Sequence, residues 1–419
     1  MAAGYLEILR ARHAARLLAG TLVGRLPNAT AAIAIVLFVR AEGGGYTLAG
    51  VLAAVYGVAN AVGQPLLGRL VDLHGQPRVQ LSAALAAAFA MGGFAFAGIA
   101  PLPLALVLVA AAGLFTPPLE GGLRALWPSV LRREEQVHTA YAMDAVAQEV
   151  MFTVGPLLVT LCTSLWSAQA ALLVLNGLGV LGALTVVVSP PSRAWRSAPR
   201  EAHWLGALRS PGLLVLLGAF LFVGIALGSI TVASVPYADD HGGDVVYGWL
   251  MAALGLGALV GGVAYGARRW VGAPERRLRV LVAFLAVCYL PLTLMPGAVA
   301  MVALTALAGV FLAPAIACAF VLVDRHAPRG TVTEAFSWLV TTFTVGHSLG
   351  TAVAGPVVEA GGARWGFAVP GAAGAVALLV LLATGRVLAV PAGSGVVAAS
   401  SENDPNRAVE PRFSSGDRA

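Results

Sequence analysis

Long apolar stretches, broken at intervals by glycine, proline and charged clusters, dominate this chain. No acidic or basic residue lies between Arg78 and Glu120, between Glu149 and Arg193, or between Arg279 and Asp324. Each run holds one or two segments of about 20 residues, the length of a membrane-spanning helix. The breaks predict twelve such helices. They cover approximately residues 17–39, 46–68, 79–99, 103–127, 138–164, 168–189, 211–236, 246–267, 278–296, 298–323, 332–358 and 365–389.

The composition supports a membrane protein. Of 419 residues, 58% are hydrophobic and 11% charged, and the mean hydropathy is +0.84, against roughly 45–50% apolar and about 25% charged residues in soluble domains. Arg10, Arg12 and Arg16 precede the first apolar run, as in a signal peptide, but that run is too long and further spans follow. We therefore expect it to remain as the first helix of an all-α, multi-pass membrane protein.

Arginine placement predicts the topology. All 26 basic residues are arginine, which suggests GC-rich coding and a bacterial cytoplasmic membrane. On the predicted spans, 22 arginines fall on the side of the N-terminus and only Arg40 and Arg364 on the other. Cytoplasmic loops carry such an excess, so both termini are predicted to be cytoplasmic. Because the arginines are spread over short loops, the basic pI near 9.6 does not indicate nucleic-acid binding.

The sequence repeats itself in two halves. The longest loop, 190–210, divides the spans six and six, and six glycines around the second span recur 198 residues later around the eighth. A second repeat relates Gly155-Pro156 in the fifth span to Gly355-Pro356 in the eleventh. We predict an N-terminal half at 1–189, a cytoplasmic linker at 190–210 and a C-terminal half at 211–390, as in repeat-built transporters. The polar residues 391–419 are predicted to form a disordered tail.

Several classes of chemistry lack their motifs. The three cysteines, Cys162, Cys288 and Cys318, show no metal-ligand spacing. The sequence contains no G-x-x-x-x-G-K-[ST] loop and no H-E-x-x-H. We expect no enzyme activity, no metal and no cofactor, with the proton as coupling ion.

Arg25 is the most informative single residue. It lies within the apolar segment 21–39, where a charge costs at least about 2.5–3.5 kcal/mol on insertion scales. Thr21, Arg25 and Asn28 follow helical spacing and form one polar stripe. The stripe predicts an acidic partner or a hydrated cavity beside the first span.

Three acids in the same half are candidate partners. Counted from the cytoplasmic end of each span, Arg25 lies at a depth similar to Glu120 and Glu149, so it should meet one of them, whereas Asp144 is shallower. Arg124 is interpreted as a residue whose side chain reaches out to the cytoplasmic surface. One acid in excess of the buried bases would bind a proton near neutral pH. The hypothesis assigns that proton to Glu149 with Glu120 or Asp144, whereas a purely structural ion pair is the alternative. His347, within the eleventh span, is a second candidate proton site or a satisfied polar residue.

Two motifs resemble the major facilitator superfamily. The loop after the second span, GRLVDLHGQPR, is similar to the family's signature at Gly68, Leu70, Asp72 and Gly75, with Arg78 as its only basic residue. In the eleventh span, Gly346, Gly355 and Pro356 are similar to a helix-packing motif of its antiporters. The resemblance implies twelve helices in two pseudo-symmetric six-helix halves around a central cavity, a cytoplasmic latch at the signature loop, and a cavity bordered by the first, fourth and fifth helices.

These observations predict a secondary transporter of the drug-efflux-like type, which exports a small amphipathic or hydrophobic molecule in exchange for protons. The alternatives are proton symport or facilitated uptake, and a transport-inactive membrane scaffold or sensor. The predicted partners are the bilayer and a small molecule, without nucleic acid, and the protein is expected to be a monomer. The residues expected to line the cavity are Asn28, Gln148, Phe152, Trp338 and Phe343.

Three further expectations concern the helices themselves. Pro117-Pro118 and Pro314 should break or kink the fourth and tenth spans. Thr331 and Glu334 should form a capping box at the start of the eleventh. Glycine pairs four residues apart should let the two halves slide against each other; these are Gly20 and Gly24, Gly257 and Gly261, Gly262 and Gly266, and Gly346 and Gly350.

Overall fold

A computed structural model describes residues 2–199, 203–268, 270 and 272–389, without the side chains of 2–4, 152 and 153. All regular structure in these residues is helical. The first half contains α1 (Ala2–Arg10), α2 (Ala14–Ala41), α3 (Tyr46–His74), α4 (Gln76–Ala97), α5 (Leu102–Leu114), α6 (Leu119–Val130), α7 (Glu134–Leu165), α8 (Ala168–Val187) and α9 (Pro190–Ala194). The second contains α10 (Pro211–His241), α11 (Asp244–Gly266), α12 (Pro274–Tyr289), α13 (Ala298–Gly309), α14 (Leu312–His326), α15 (Val332–Gly361), α16 (Ala363–Ala383) and α17 (Gly385–Leu388).

The predicted membrane-spanning pattern is confirmed. Eleven spans are long and apolar enough to cross a bilayer, with α5 and α6, α12 and its following turn, and α13 and α14 each forming one crossing. At the eleventh predicted position, α15 is 30 residues long but carries serine, threonine, histidine and glutamate. Its polarity is typical of a helix that faces a partner helix or a cavity rather than lipid alone.

Prolines shape two spans as predicted. The chain leaves helical geometry between α5 and α6 at Pro117-Pro118, and between α13 and α14 just before Pro314. Proline lacks the N–H that would continue the helical ladder and clashes with the preceding turn. The break before α6 starts a new helix within the fourth span, and Glu120 lies in its first turn.

Close glycine contacts mostly hold each half together. Gly24 packs on α8, Gly257 on α13 and Gly346 on α10, all within one half. The expected sliding role was wrong for these three pairs, because their partners belong to the same half. Gly262 and Gly266 do face the other half, where their neighbours include Val146 and Ala142.

Two short elements were not foreseen. Helix α1 precedes the first span, and its Ile8 is fully buried. Helix α9 lies in the linker predicted at 190–210. The predicted disordered tail, 391–419, lies outside the described residues.

Two glycines of α10 give a matched test of helix packing. A Cβ atom on Gly228 would lie 2.0 Å from the carbonyl oxygen of His347 on α15, whereas one on Gly218 would meet only Val380, at 4.0 Å. We expect Gly228→Ala to lower the thermal unfolding midpoint, because the two helix backbones must separate. Gly218→Ala should leave it unchanged or raise it, since alanine favours a helix by about 1 kcal/mol over glycine. Scanning fluorimetry in detergent measures both, and equal midpoints would contradict the packing.

Candidate functional site

Two arginines and two acids form a closed network inside the first half. Arg25 on α2 forms an ion pair with Glu120, with Nε 2.8 Å from Oε1, and donates from Nη1 to Asp144 Oδ1 at 3.0 Å. Arg124 on α6 donates from Nε to Asp144 Oδ2 at 2.6 Å and from Nη2 to Glu120 Oε2 at 3.4 Å. Each carboxylate therefore bridges both guanidinium groups. We call these four side chains the charge ring.

Burial of the four charged side chains of the ring costs free energy, which their close pairing must offset. The side chains of Arg124 and Asp144 are 0% exposed, and that of Glu120 is 13% exposed. Removing charges from water costs several kcal/mol per ion, offset only by close pairing and further hydrogen bonds. The expectation that Arg124 reaches the surface was wrong, because Asp144 and Glu120 hold its guanidinium inside.

Arg124 also contacts the second half of the protein. Its guanidinium carbon lies 3.7 Å from the ring centroid of Phe320 on α14 and 5.9 Å from that of Phe336 on α15. A cation over an aromatic face is attracted by the ring quadrupole, more strongly where water is excluded. The charge ring is therefore attached to the opposite half through Arg124.

Gln148 connects the ring to a central cavity. Its Oε1 accepts from Arg124 Nη2 at 3.4 Å. Gln148 and Phe343 line a small cavity whose other walls are mainly apolar. In this conformation the cavity measures about 10 Å³, room for one water at most. Its remaining lining residues are Phe220, Ile316, Phe320, Leu339 and Val340.

A second polar network lies in the first half. Asn60 on α3 donates from Nδ2 to Asn28 Oδ1 at 2.9 Å. Gln64 donates to Asn60 Oδ1 at 3.3 Å and to the carbonyl oxygen of Thr116 at 3.0 Å. The half-buried amide of Asn28 thus joins α2 to α3.

The other predicted site residues lie outside the ring. Glu149 follows Gln148 on α7 and is half-buried, whereas Arg25 pairs with Glu120 and Asp144. His347 is half-buried on α15, with no described hydrogen bond to the ring. Trp338 packs against the core of the second half without lining the cavity. The side chain of Phe152 lies outside the described residues.

The signature loop contacts the start of α15. Both Asp72 carboxylate oxygens accept backbone N–H groups there, from Thr333 at 3.1 Å and Glu334 at 2.9 Å. An acid at a helix N-terminus satisfies free donors and complements the helix dipole. The capping box expected from Thr331 and Glu334 was wrong, since Thr331 makes no side-chain cap and the other half supplies the acceptor.

The rest of the loop supports this contact. A Cβ atom on Gly68 would lie 2.7 Å from Ser337 Oγ, so α3 approaches α15 closely at this glycine. Gly75 ends α3 with a φ of +88°, which favours glycine. Arg78 is exposed and forms no ion pair among the described residues.

The predicted packing motif has uneven contacts. A Cβ atom on Gly155 would lie 3.3 Å from the Thr30 methyl group of α2, whereas one on Gly355 would meet nothing within 4 Å. Pro156 and Pro356 lie inside α7 and α15 without ending either helix.

The two halves are joined on the side of the bundle where α1 lies, which we call the N side. Hydrogen bonds and ion pairs link described residues of the two halves there. Besides the Asp72 contacts, Arg325 pairs with Glu134 at 3.1 Å, and Tyr5 of α1 donates to the carbonyl oxygen of Val263 at 3.1 Å. The structure is therefore closed on the N side.

Part of this site escaped the sequence argument. Asn60, Gln64 and Phe320 were not singled out, although Asn60 and Gln64 lie four residues apart in an apolar span. That spacing was an available signal. Phe320 carries no comparable signal, because its role depends on which arginine reaches it across the halves.

Comparison with solved structures supports the fold. The human organic anion transporter MFSD10 (TETRAN) matches at a TM-score of 0.67 and 16% identity, covering 88% of this chain and 98% of its own. A bacterial homologue of the iron transporter ferroportin, in an outward-facing state, matches at 0.67 and 15%, covering 89% and 99%. The E. coli fucose:proton symporter FucP matches at 0.67 and 17%, covering 88% and 97%. At these identities the likeness is one of fold.

The family assignment comes from the sequence itself. No curated protein sequence matches the chain. The model of the Major Facilitator Superfamily, however, matches residues 17–332, most of the chain. With the signature loop, the paired halves and the transporter fold in agreement, this chain belongs to the Major Facilitator Superfamily of membrane transporters.

Proposed function

We propose that this protein is a proton-coupled antiporter that exports a small amphipathic or hydrophobic molecule by alternating access. The observation that carries the proposal is the charge ring beside the central cavity. With all four groups ionised its net charge is zero, and protonation of one carboxylate would leave a buried positive charge and release one arginine contact. Titration inside the ring thereby changes the interactions that hold α2, α6 and α7 together.

The proton is assigned to Glu149 together with Glu120. Glu120 is the least buried member of the ring, and Glu149 adjoins the cavity residue Gln148. Asp144 is fully buried and accepts two short bonds from arginine, so we assign it a structural role. The ion pairs of Arg25 and Arg124 with Glu120 then depend on whether Glu120 is charged.

The cavity walls support amphipathic cargo. The wall contributed by the second half is built from phenylalanine, leucine, isoleucine and valine, while the first half offers Gln148 and the charge ring. A molecule with one apolar face and one polar or cationic group would match both walls. Sugars would need more hydrogen-bonding groups than these residues provide.

The N side is proposed to be cytoplasmic, on the arginine excess of its loops. The closed N side then corresponds to the outward-facing state. Opening of the N side must break the Asp72 contacts to α15 and the contact of Arg124 with Phe320.

A first test uses everted membrane vesicles with an acidic lumen and ethidium as an amphipathic probe. The wild-type protein should drive gradient-dependent ethidium accumulation in the lumen. Glu149→Gln should reduce that accumulation at least tenfold, because the amide cannot exchange a proton. Glu359→Gln, an exposed carboxylate on α15, is the control and should keep the wild-type rate.

Three outcomes would contradict this proposal. A full gradient response in Glu149→Gln removes the assigned proton site. Accumulation that follows the proton rather than opposing it would indicate symport. Absence of any gradient-dependent flux for ethidium and for neutral amphipathic dyes would favour a transport-inactive scaffold.

A second test separates the structural from the coupling carboxylates. Asp144→Asn leaves two arginines facing one acid in a site that is 0% exposed, and breaking a buried pair this way costs about 3–5 kcal/mol. Glu120→Gln also removes one charge, but its partly exposed side chain lets water compensate. We expect a markedly larger drop in the thermal unfolding midpoint for Asp144→Asn. An equal or larger drop for Glu120→Gln would contradict this ranking.

A further inference from the structure

A ladder of polar side chains runs along α7 from the N side to the charge ring. Glu134, His138, Tyr141, Asp144 and Gln148 are separated by four, three, three and four residues, so they share one face of the helix. From Glu134 to Asp144 the ladder rises about 15 Å, at 1.5 Å per residue. Glu134 lies at the surface of the N side, and Gln148, at the other end, lines the central cavity.

The lower part of the ladder borders a second cavity. This cavity measures about 270 Å³ and is lined by Glu134, His138 and Tyr141 from α7 and by Asp324 and Arg325 from α14. Several water molecules fit in that volume, and its lining groups can hydrogen-bond them. Water from the N side can therefore reach Tyr141 although the two halves are closed there.

Tyr141 separates this cavity from the charge ring. Its side chain is 1% exposed, and its hydroxyl has no hydrogen-bond partner among the described residues. Asp144 of the charge ring follows Tyr141 by three residues on the same face of α7, and Asp324 lines the cavity together with Tyr141. The rings of Phe320 and Phe336, at centroid distances of 6.2 and 5.8 Å, pack around it and leave no path for larger molecules.

We propose that Tyr141 relays protons between the charge ring and the N side while the cargo pathway is closed on that side. A hydroxyl both donates and accepts. When it accepts a proton from a ring carboxyl group it passes its own proton to water in the cavity, so that the phenol remains neutral. This inference rests on the proposed proton coupling and adds a proton route separate from the cargo route.

The charged and titratable groups around this route belong to six helices and to the loop before α7. They are Glu134, Glu135, His138 and Asp144 on α7, Asp324 and Arg325 on α14, Glu120 and Arg124 on α6, Arg25 on α2, Glu7 on α1, Arg277 on α12, and Arg132 and Arg133 before α7. Glu134 lies 3.6 Å from His138 and 3.1 Å from Arg325. The Glu134–Arg325 pair offsets one acid with one base at the mouth of this cavity. Tyr141 lies between the cavity and the charge ring.

The test needs no cargo. The full chain, with its three native cysteines replaced by serine, is locked on the N side by Gly68→Cys and Ser337→Cys, since a Cβ atom at 68 would lie 2.7 Å from Ser337 Oγ. Proteoliposomes of the locked protein receive a pH step with valinomycin and potassium present, and a trapped pH dye reports proton flux. We expect flux above that of protein-free liposomes, and at least a tenfold reduction in Tyr141→Phe.

Controls keep the result unambiguous. Tyr141→Phe removes one hydroxyl without a partner, so folding should be retained, as size exclusion and the unfolding midpoint will show. Tyr265→Phe, another buried tyrosine on the N side that does not line the cavity, should leave the flux unchanged. No flux above protein-free liposomes, or equal flux in Tyr141→Phe, would overturn the relay. Since the locked protein cannot cycle, a failed relay leaves the ethidium assay unaffected, and a failed ethidium assay leaves this flux measurable.

Discussion

Two guanidinium groups that cannot lose their charge lie inside a bundle built to span a bilayer, and the rest of the site follows from that constraint. Arg25 and Arg124 must be neutralised locally, and Asp144 and Glu120 each bridge both of them. The bridging ties α2, α6 and α7 together at the depth of the cavity. Any change in the charge of one carboxylate is therefore a change in the packing of three helices.

Arg124 extends this coupling across the molecule. Its guanidinium lies on Phe320 of the second half, and Phe320 also lines the central cavity. The same phenylalanine packs beside Tyr141, below the ring. The Phe320 side chain thus contacts the charge ring, the central cavity and Tyr141 on the closed N side. Movement of the halves cannot leave the environment of the ring unchanged, and this mutual dependence is what a coupled transporter requires.

The hydrophobic pattern was sufficient to locate eleven of the twelve predicted spans, because membrane helices need long apolar stretches. Proline, glycine and charge mark the breaks between them. The depth of Arg25 also pointed to acidic partners on the fourth and fifth spans. Depth alone could not choose among them. Asp144 and Glu149 are five residues apart, which places them about 140° apart around α7 at 100° per residue, and only the assembled bundle shows that Asp144 faces Arg25. Contacts between halves were equally beyond local reasoning: the acceptor that caps α15 lies 261 residues away in sequence.

The fixed charges of the first half favour exchange over symport in the proposed mechanism. Arg25 and Arg124 balance Glu120 and Asp144, and Glu149 brings the total to one net negative charge. A low-dielectric site of that charge stabilises one added positive charge and disfavours a second. A proton and a cationic cargo molecule therefore compete for the same negatively charged site, and binding of one favours release of the other. Symport of a cation with a proton would need an additional acid, and the spans of the second half place none at the level of the cavity among the described residues.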